Sequence, residues 1–310
     1  MSGLTIAVTG GAGFIGSHLV DALIGAGHRV TVIDTMAPHR PDVVSVTADV
    51  TDLDALTTAL ADHDVVFHLA AVSNINVALA RPIDTVEVNT VGTARVWEAA
   101  RRNGVGRAVL ASTVWVYAGA AGSGPFDEDT PFHLPSAGHI YTSSKIAAEM
   151  IVHNYRELYG QHFTILRYGI PYGPRMRPEL VIPRFVQQCL AGQPITVNGD
   201  GSQYRNYVWI ADLIDAHLRA LAPVAENQVI NLEGTTRISV RDMADTVTSI
   251  IGGLTTVTYV PTRVGDYTGK DVSAVKAHRL LGWRAATPFA DGMAAYIESC
   301  RAGHEPAWVQ

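Results

Sequence analysis

The chain has 310 residues, 47% of them hydrophobic and 17% charged, with a formal net charge of −6. That length can bury a substantial core in one large domain or two unequal ones, and the composition is that of a soluble enzyme, which excludes a disordered chain. The acidic balance and the lack of a basic run argue against a nucleic-acid partner, and no apolar run reaches the ~18 residues needed to cross a bilayer.

Two cysteines, Cys189 and Cys300, offer neither metal-ligand spacing nor a framework of bridges, which fits a reducing cytoplasm. Met1-Ser2-Gly3 leads into the first strand without a basic region, so no signal peptide is expected.

Thr5-Ile6-Ala7-Val8-Thr9 reads as an apolar strand and runs into the glycine-rich turn Gly10-Gly11-Ala12-Gly13-Phe14-Ile15-Gly16. A helix then continues from Ser17 through Ile24. Glycines at these positions permit a tight turn, let backbone approach a pyrophosphate, and allow close helix–strand packing. The free N–H groups and dipole of the helix start attract the anion. A second strand, residues 30–34, ends in Asp34, 18 residues after Gly16, where a ribose hydroxyl needs an acceptor. A dinucleotide site is therefore expected. The carboxylate repels a 2′-phosphate and favours NAD, while the nearby His39 and Arg40 keep NADP open.

A third strand, residues 43–50, reaches Asp49, and Thr51 or Asp52 can cap a helix over 53–60. Residues 64–71 form a fully apolar fourth strand. Apolar strands alternating with helical patterns predict a doubly wound parallel α/β sheet. Ala70, Ala71 and Val72 are small enough to admit a cofactor, and the polar Ser73-Asn74-Ile75-Asn76 reads either as ligand-facing or as a solvated loop. One long helix over 84–103 would bury Asn89, whose amide needs a partner.

The fifth strand and its exit, residues 107–117, set Ser112 and Thr113 at the strand's carboxyl end, where ligands of open α/β sheets sit. The loop over 118–140 exceeds an ordinary connector. It delivers Tyr141 and Lys145, four apart on the face of one helix, so phenol and ammonium can share a site. A cation beside the phenol favours phenolate.

Gly10-x-x-Gly13-x-x-Gly16, Asp34, Asp49, His68-Leu69-Ala70-Ala71, Asn89, Ser112-Thr113 and Tyr141-x-x-x-Lys145 together resemble the extended short-chain dehydrogenase/reductase family. Leu166-Arg167-Tyr168, Tyr172-Gly173-Pro174-Arg175, the segment 199–208 and Pro261-Thr262-Arg263-Val264-Gly265-Asp266 look like its nucleotide-sugar epimerase/dehydratase branch. The resemblance implies a catalytic Thr113, Tyr141 and Lys145 beside a nicotinamide. It implies an NAD site formed by Gly10, Gly13, Phe14, Ile15, Gly16, Asp34, Asp49, Val50, Leu69, Ala70, Ala71, Asn89, Ser112 and Tyr168. Ser73, Asn74, Thr113, Arg205, Arg263 and Asp266 are the implied contacts to a nucleotide sugar, UDP-linked, with the two arginines on its pyrophosphate. A homodimer through the helices over 84–103 and 141–159 is expected by the same analogy.

In the second half, helical patterns over 179–191, 240–251 and 273–281 and short strands over 194–197 and 257–260 break the regular alternation. This predicts a Rossmann-type NAD-binding domain over 1–168, rejoined by a stretch near 205–235, and a smaller α/β substrate lobe mainly over 169–310.

Dehydratase-like and decarboxylating members of the branch carry acidic residues just after the strand-end Ser-Thr, whereas this chain has Val114 and Trp115, which cannot transfer a proton. A nucleotide-sugar 4-epimerase is therefore expected. A 4-ketoreductase using the same Tyr and Lys, a 4,6-dehydratase, and a non-catalytic NAD-sensing protein are the alternatives. Gly169-Ile170-Pro171 stands where many relatives have an asparagine, and Ala118 where glycine is usual. Arg175 and Arg177 read as a solvated basic loop or as a preference for an acidic sugar.

Overall fold

The computed structural model describes residues 3–122, 124–134, 137–252, 256–261 and 270–303. Its organising layer is a seven-stranded sheet in the order β3-β2-β1-β4-β5-β6-β10. The strands are β1 (Thr5–Thr9), β2 (Arg29–Asp34), β3 (Val44–Thr47), β4 (Val65–His68), β5 (Arg107–Thr113), β6 (Phe163–Tyr168) and β10 (Gln228–Leu232). Every pairing is parallel, so the carboxyl ends collect on one edge. The order reverses between β1 and β4, the switch point where such sheets bind ligands.

Because β4, β5 and β6 are buried on both faces, they read as continuous apolar runs rather than alternating ones. Ala7, Val66, Leu110 and Ile165 pack with Val96, Trp97 and Ala100 of α5 (Gly92–Arg102) and with Ala148 and Val152 of α6 (Ile140–Tyr159). Helix α1 (Phe14–Gly25) follows the glycine turn. Asp52 caps α2 (Leu53–Ala59) by accepting the Asp54 and Ala55 N–H groups.

Two elements depart from the sequence reading. Residues 73–76 are not a plain loop, since Asn74 caps a short helix, α3 (Ile75–Ala80). The expected single helix over 84–103 is α4 (Pro82–Val86), a π-helical turn (Glu87–Val91) and α5 in succession. Asn89 is the buried residue of that π turn, and such turns gather at functional sites. Gly92 follows because a Cβ there would meet the Val50 side chain at 2.8 Å.

The chain divides into two units. The first comprises Met1–Tyr168, Ile214–Leu232 and Val272–Trp283 and contains the large sheet. The second comprises Gly169–Leu213, Glu233–Asp271 and Arg284–Gln310. It holds β7 (Ile170–Tyr172), β9 (Tyr204–Trp209) and β11 (Arg237–Ser239) in one sheet, and β8 (Ile195–Asn198) paired with β12 (Val257–Val260) in another. Its aromatic centre is Tyr172, ringed by Tyr207, Trp209 and Phe289. Gly292 is required there, because a Cβ would lie 2.2 Å from the Tyr172 phenol oxygen. No described helix is long and apolar enough to cross a membrane.

Candidate active site

The glycine turn is dictated by two close approaches. Gly10 has φ +72°, and a Cβ on it would lie 2.5 Å from the Ala70 backbone nitrogen, where the chain leaving β4 crosses the one leaving β1. A Cβ on Gly16 would lie 2.1 Å from the Gly10 carbonyl. Gly13 differs. Its φ is −74°, and a Cβ there would meet only the Gly10 carbonyl, at 3.2 Å. Packing within the protein demands glycine at 13 less than at 10 or 16, which leaves room for a ligand that approaches the backbone there.

The first turn of α1, with Phe14, Ile15 and Gly16, has no capping side chain and no acidic residue, so its N–H groups are not answered by a carboxylate. At the end of β2 the Asp34 carboxylate accepts the Ala12 N–H at 2.9 Å and the Met36 N–H at 3.1 Å. This fixes it beside the turn with lone pairs to spare. Arg40 forks onto Asp42 at 2.6 and 2.7 Å and also reaches Asp21, so its charge is taken up by carboxylates instead of a phosphate. Asp49 accepts the Thr51 N–H and hydroxyl, and Val50 is buried against Gly92. A cradle, an anion-attracting helix start and a ribose acceptor in this order fit a dinucleotide without a 2′-phosphate.

The catalytic candidates lie on α6 and at the end of β5. Lys145 is buried and donates to the Ala111 carbonyl at 3.0 Å. Burial pulls its ammonium down to about 8. One turn earlier stands Tyr141, half-buried, with the His139 ring centroid 6.1 Å from its own. His139 caps α6, its Nδ1 accepting the Thr142 N–H. Thr113 is buried at the strand end, and its Oγ1 accepts the Trp115 N–H at 3.2 Å. The Thr113 hydroxyl proton remains for an acceptor.

Three expected cofactor contacts are engaged within the protein. Asn89 accepts the Val72 N–H and donates both amide hydrogens, to the Val72 carbonyl and the Ser144 hydroxyl. It therefore ties the exit of β4, with Leu69, Ala70 and Ala71, to α6. Ser112 donates to the Glu149 carboxylate. The Tyr168 phenol lies against His217 Nε2, and burial, then Tyr141, push its pKa up.

Beneath these, His68 is held neutral by burial, with Lys145 as the second cause, at a pKa near 3. Thr93 spends its proton on the Asn89 carbonyl, so it accepts from His68 Nε2–H, and Thr9 donates to Nδ1.

Of the expected substrate contacts, Ser73 is exposed and the Asn74 side chain is occupied as a helix cap, accepting at 2.9 and 3.4 Å. Arg205 lies on β9 of the second unit, donating to the Tyr204 carbonyl. Arg263 and Asp266 lie outside the described residues. The sequence reading passed over Glu149 and His139. Glu149 is four residues after Lys145, so the same helical spacing that pairs Tyr141 with Lys145 pointed to it. The His139 ring packs against Trp115 at a tilt, with centroids 5.2 Å apart, a contact without a spacing signal.

Residues 6–232 match the NAD dependent epimerase/dehydratase family. The chain is 33% identical over 309 residues to a UDP-glucose 4-epimerase of Mycolicibacterium smegmatis, covering 95% of this chain and 97% of that protein. It is 31% identical to a UDP-N-acetyl-alpha-D-glucosaminuronate decarboxylase of Bacillus cytotoxicus, covering 82% of each. Among solved structures it is similar to the UDP-glucose 4-epimerase of Thermotoga maritima with UDP-glucose, at a TM-score of 0.91 and 28% identity, covering 97% and 99% of the two chains.

Proposed function

The chain belongs to the NAD-dependent epimerase/dehydratase family, and from that premise we propose that it is a nucleotide-sugar 4-epimerase. The observation that carries this reading is the end of β5. Beyond Thr113 come Val114, buried, and Trp115, packed against His139 with the rings tilted, where neither side chain can carry a proton for elimination or decarboxylation. Tyr141 over Lys145 supplies the acid–base pair that reversible oxidation of a hydroxyl needs.

In this reading Tyr141 as phenolate accepts the proton of the sugar C4 hydroxyl, and Thr113 donates a hydrogen bond to the same oxygen. Lys145, one turn away, stabilises the phenolate. NAD, when bound, supplies the hydride acceptor and donor. Tyr141 returns its proton once the 4-keto sugar has presented its other face, so no net redox change results. Arg205 and Arg263 are the proposed contacts to the nucleotide diphosphate, because guanidinium matches phosphate oxygens bidentately, and Asp266 is the proposed contact to its ribose. NAD is read over NADP because the Asp34 carboxylate beside the glycine turn would accept a ribose hydroxyl and repel a 2′-phosphate, and Arg40 is paired with Asp42 and Asp21.

The same reading makes the protein a cytoplasmic homodimer. Leu79, Ile83 and Val86 on α3 and α4, with Met150, Leu158 and Tyr159 on α6, are exposed apolar side chains suited to cover such a face. Incubation with UDP-, dTDP-, GDP- and CDP-sugars without added cofactor, followed by separation of C4 epimers, tests the reaction. Unchanged sugars overturn it. Stoichiometric consumption of added NAD(P)H indicates a ketoreductase, and a dehydrated or decarboxylated product shows that a group other than residues 114 and 115 carries the extra proton.

A further inference from the structure

Behind the proposed acid–base pair lies a buried polar chain that the mechanism above does not use. Glu149 follows Lys145 by one turn of α6, and the Glu149 and Arg167 side chains are only 2% and 4% exposed. The Arg167 guanidinium forks onto Glu149, with contacts of 2.7, 3.0 and 3.2 Å, and lies over the Tyr117 and Phe132 rings. Its other end donates to the Tyr117 phenol oxygen, which donates to Asn231 at 3.0 Å. Asn231 in turn holds the Glu128 carboxylate through its backbone N–H and the Ser273 carbonyl through its amide.

Successive residues of β5 meet successive turns of α6. Ala111 takes the Lys145 proton donor and Ser112 donates to Glu149, one residue before Thr113. The groups facing this point are Lys145 and His153 from α6, Arg167 from β6, Tyr117 from the segment after β5, and, across Lys145, the neutral His68 from β4.

We propose that Glu149 is a positioning residue, whose carboxylate keeps Lys145 in its ammonium form and sets Ser112, and with it Thr113, in register with Tyr141. The inference rests on Tyr141 and Lys145 being the acid–base pair of the proposed function. Glu149 is ion-paired with Arg167 and stands one helical turn from Lys145, while their β5 partners, Ser112 and Ala111, are adjacent residues. Burial works against the Lys145 charge and Glu149 works for it. Loss of the carboxylate therefore lets the ammonium lose its proton at lower pH and removes the cation that favours phenolate.

The test is Glu149→Gln, which keeps a partner for Ser112 and Arg167 but no charge. Phenolate absorbance of the apoenzyme, referenced to Tyr141→Phe, reads the Tyr141 titration without cofactor or substrate. The midpoint is expected to rise by about one in pH, with kcat on the active nucleotide sugar down about tenfold and KM unchanged. A wild-type Tyr141 titration in the variant, with only melting temperature lowered, overturns the proposal. Should Glu149→Gln not fold, Glu149→Leu with Arg167→Leu exchanges the ion pair for apolar volume. A smaller rise is expected there, because the Arg167 charge is removed with the carboxylate, and a wild-type midpoint again overturns it. If no nucleotide sugar is epimerised yet the midpoint rises, the reaction assignment fails while the role of Glu149 stands.

Discussion

Gly13→Ala separates the part of the glycine turn that serves a ligand from the part that serves the fold. At Gly10 an alanine would adopt a left-handed conformation, costing roughly 1–2 kcal/mol, with its Cβ 2.5 Å from backbone. At Gly16 it would sit 2.1 Å from a carbonyl oxygen. At Gly13 the backbone is already ordinary and the nearest atom is 3.2 Å away, so the apoprotein is expected to lose only about 0.5–1 kcal/mol, the cost of alanine at a helix start. In the proposed NAD site the methyl group would nevertheless stand where the pyrophosphate approaches. Losing one N–H contact to a charged oxygen costs about 1.5–3 kcal/mol, which is about 10- to 100-fold in affinity. Calorimetric titration of cofactor-stripped protein with NAD, alongside thermal melts of Gly10→Ala, Gly13→Ala and Gly16→Ala, checks this. NAD binding by Gly13→Ala equal to wild type, or a melt depressed as far as that of Gly16→Ala, would refute the reasoning.

Tyr141→Phe is expected to lower kcat by about 10²–10⁴-fold while NAD titrates as in wild type; turnover within about threefold of wild type removes the phenol from the mechanism. Lys145 titrates at about 8 when folded against 10.5 when unfolded, so the unfolded chain binds more protons between those values. Its contribution to stability therefore rises with pH across that window, and the charged form costs about 3 kcal/mol below pH 8. Urea unfolding of Lys145→Met should accordingly gain on wild type by about 3 kcal/mol more at pH 7 than at pH 10.5, and an equal gap at both values contradicts the burial argument. Light scattering should give a dimer mass for the wild type and half of it for Ile83→Asp combined with Met150→Asp, since both apolar side chains are exposed; an unchanged mass places the contact elsewhere.

Local chemistry carried much of this protein in its sequence. The glycine turn, the apolar strands and the carboxylate ending β2 follow from backbone sterics and hydrophobic period, which need only near neighbours. The Tyr141 and Lys145 pairing follows from helical geometry alone. Other features depended on segments far apart in the chain. Asn89 was legible as a buried amide, but its partners, Val72 and Ser144, are 17 and 55 residues away, and the π turn that carries it has no spacing signal. Asn74 reads as a ligand contact or a cap from the same letters, and only the helix after it decides. Trp115 meets His139, and Glu149 meets Ser112 and Arg167, because strand order brings β5, β6 and α6 together. Spacing along the sequence fixes which side chains share a helix face; which buried charges answer one another is settled when the sheet closes.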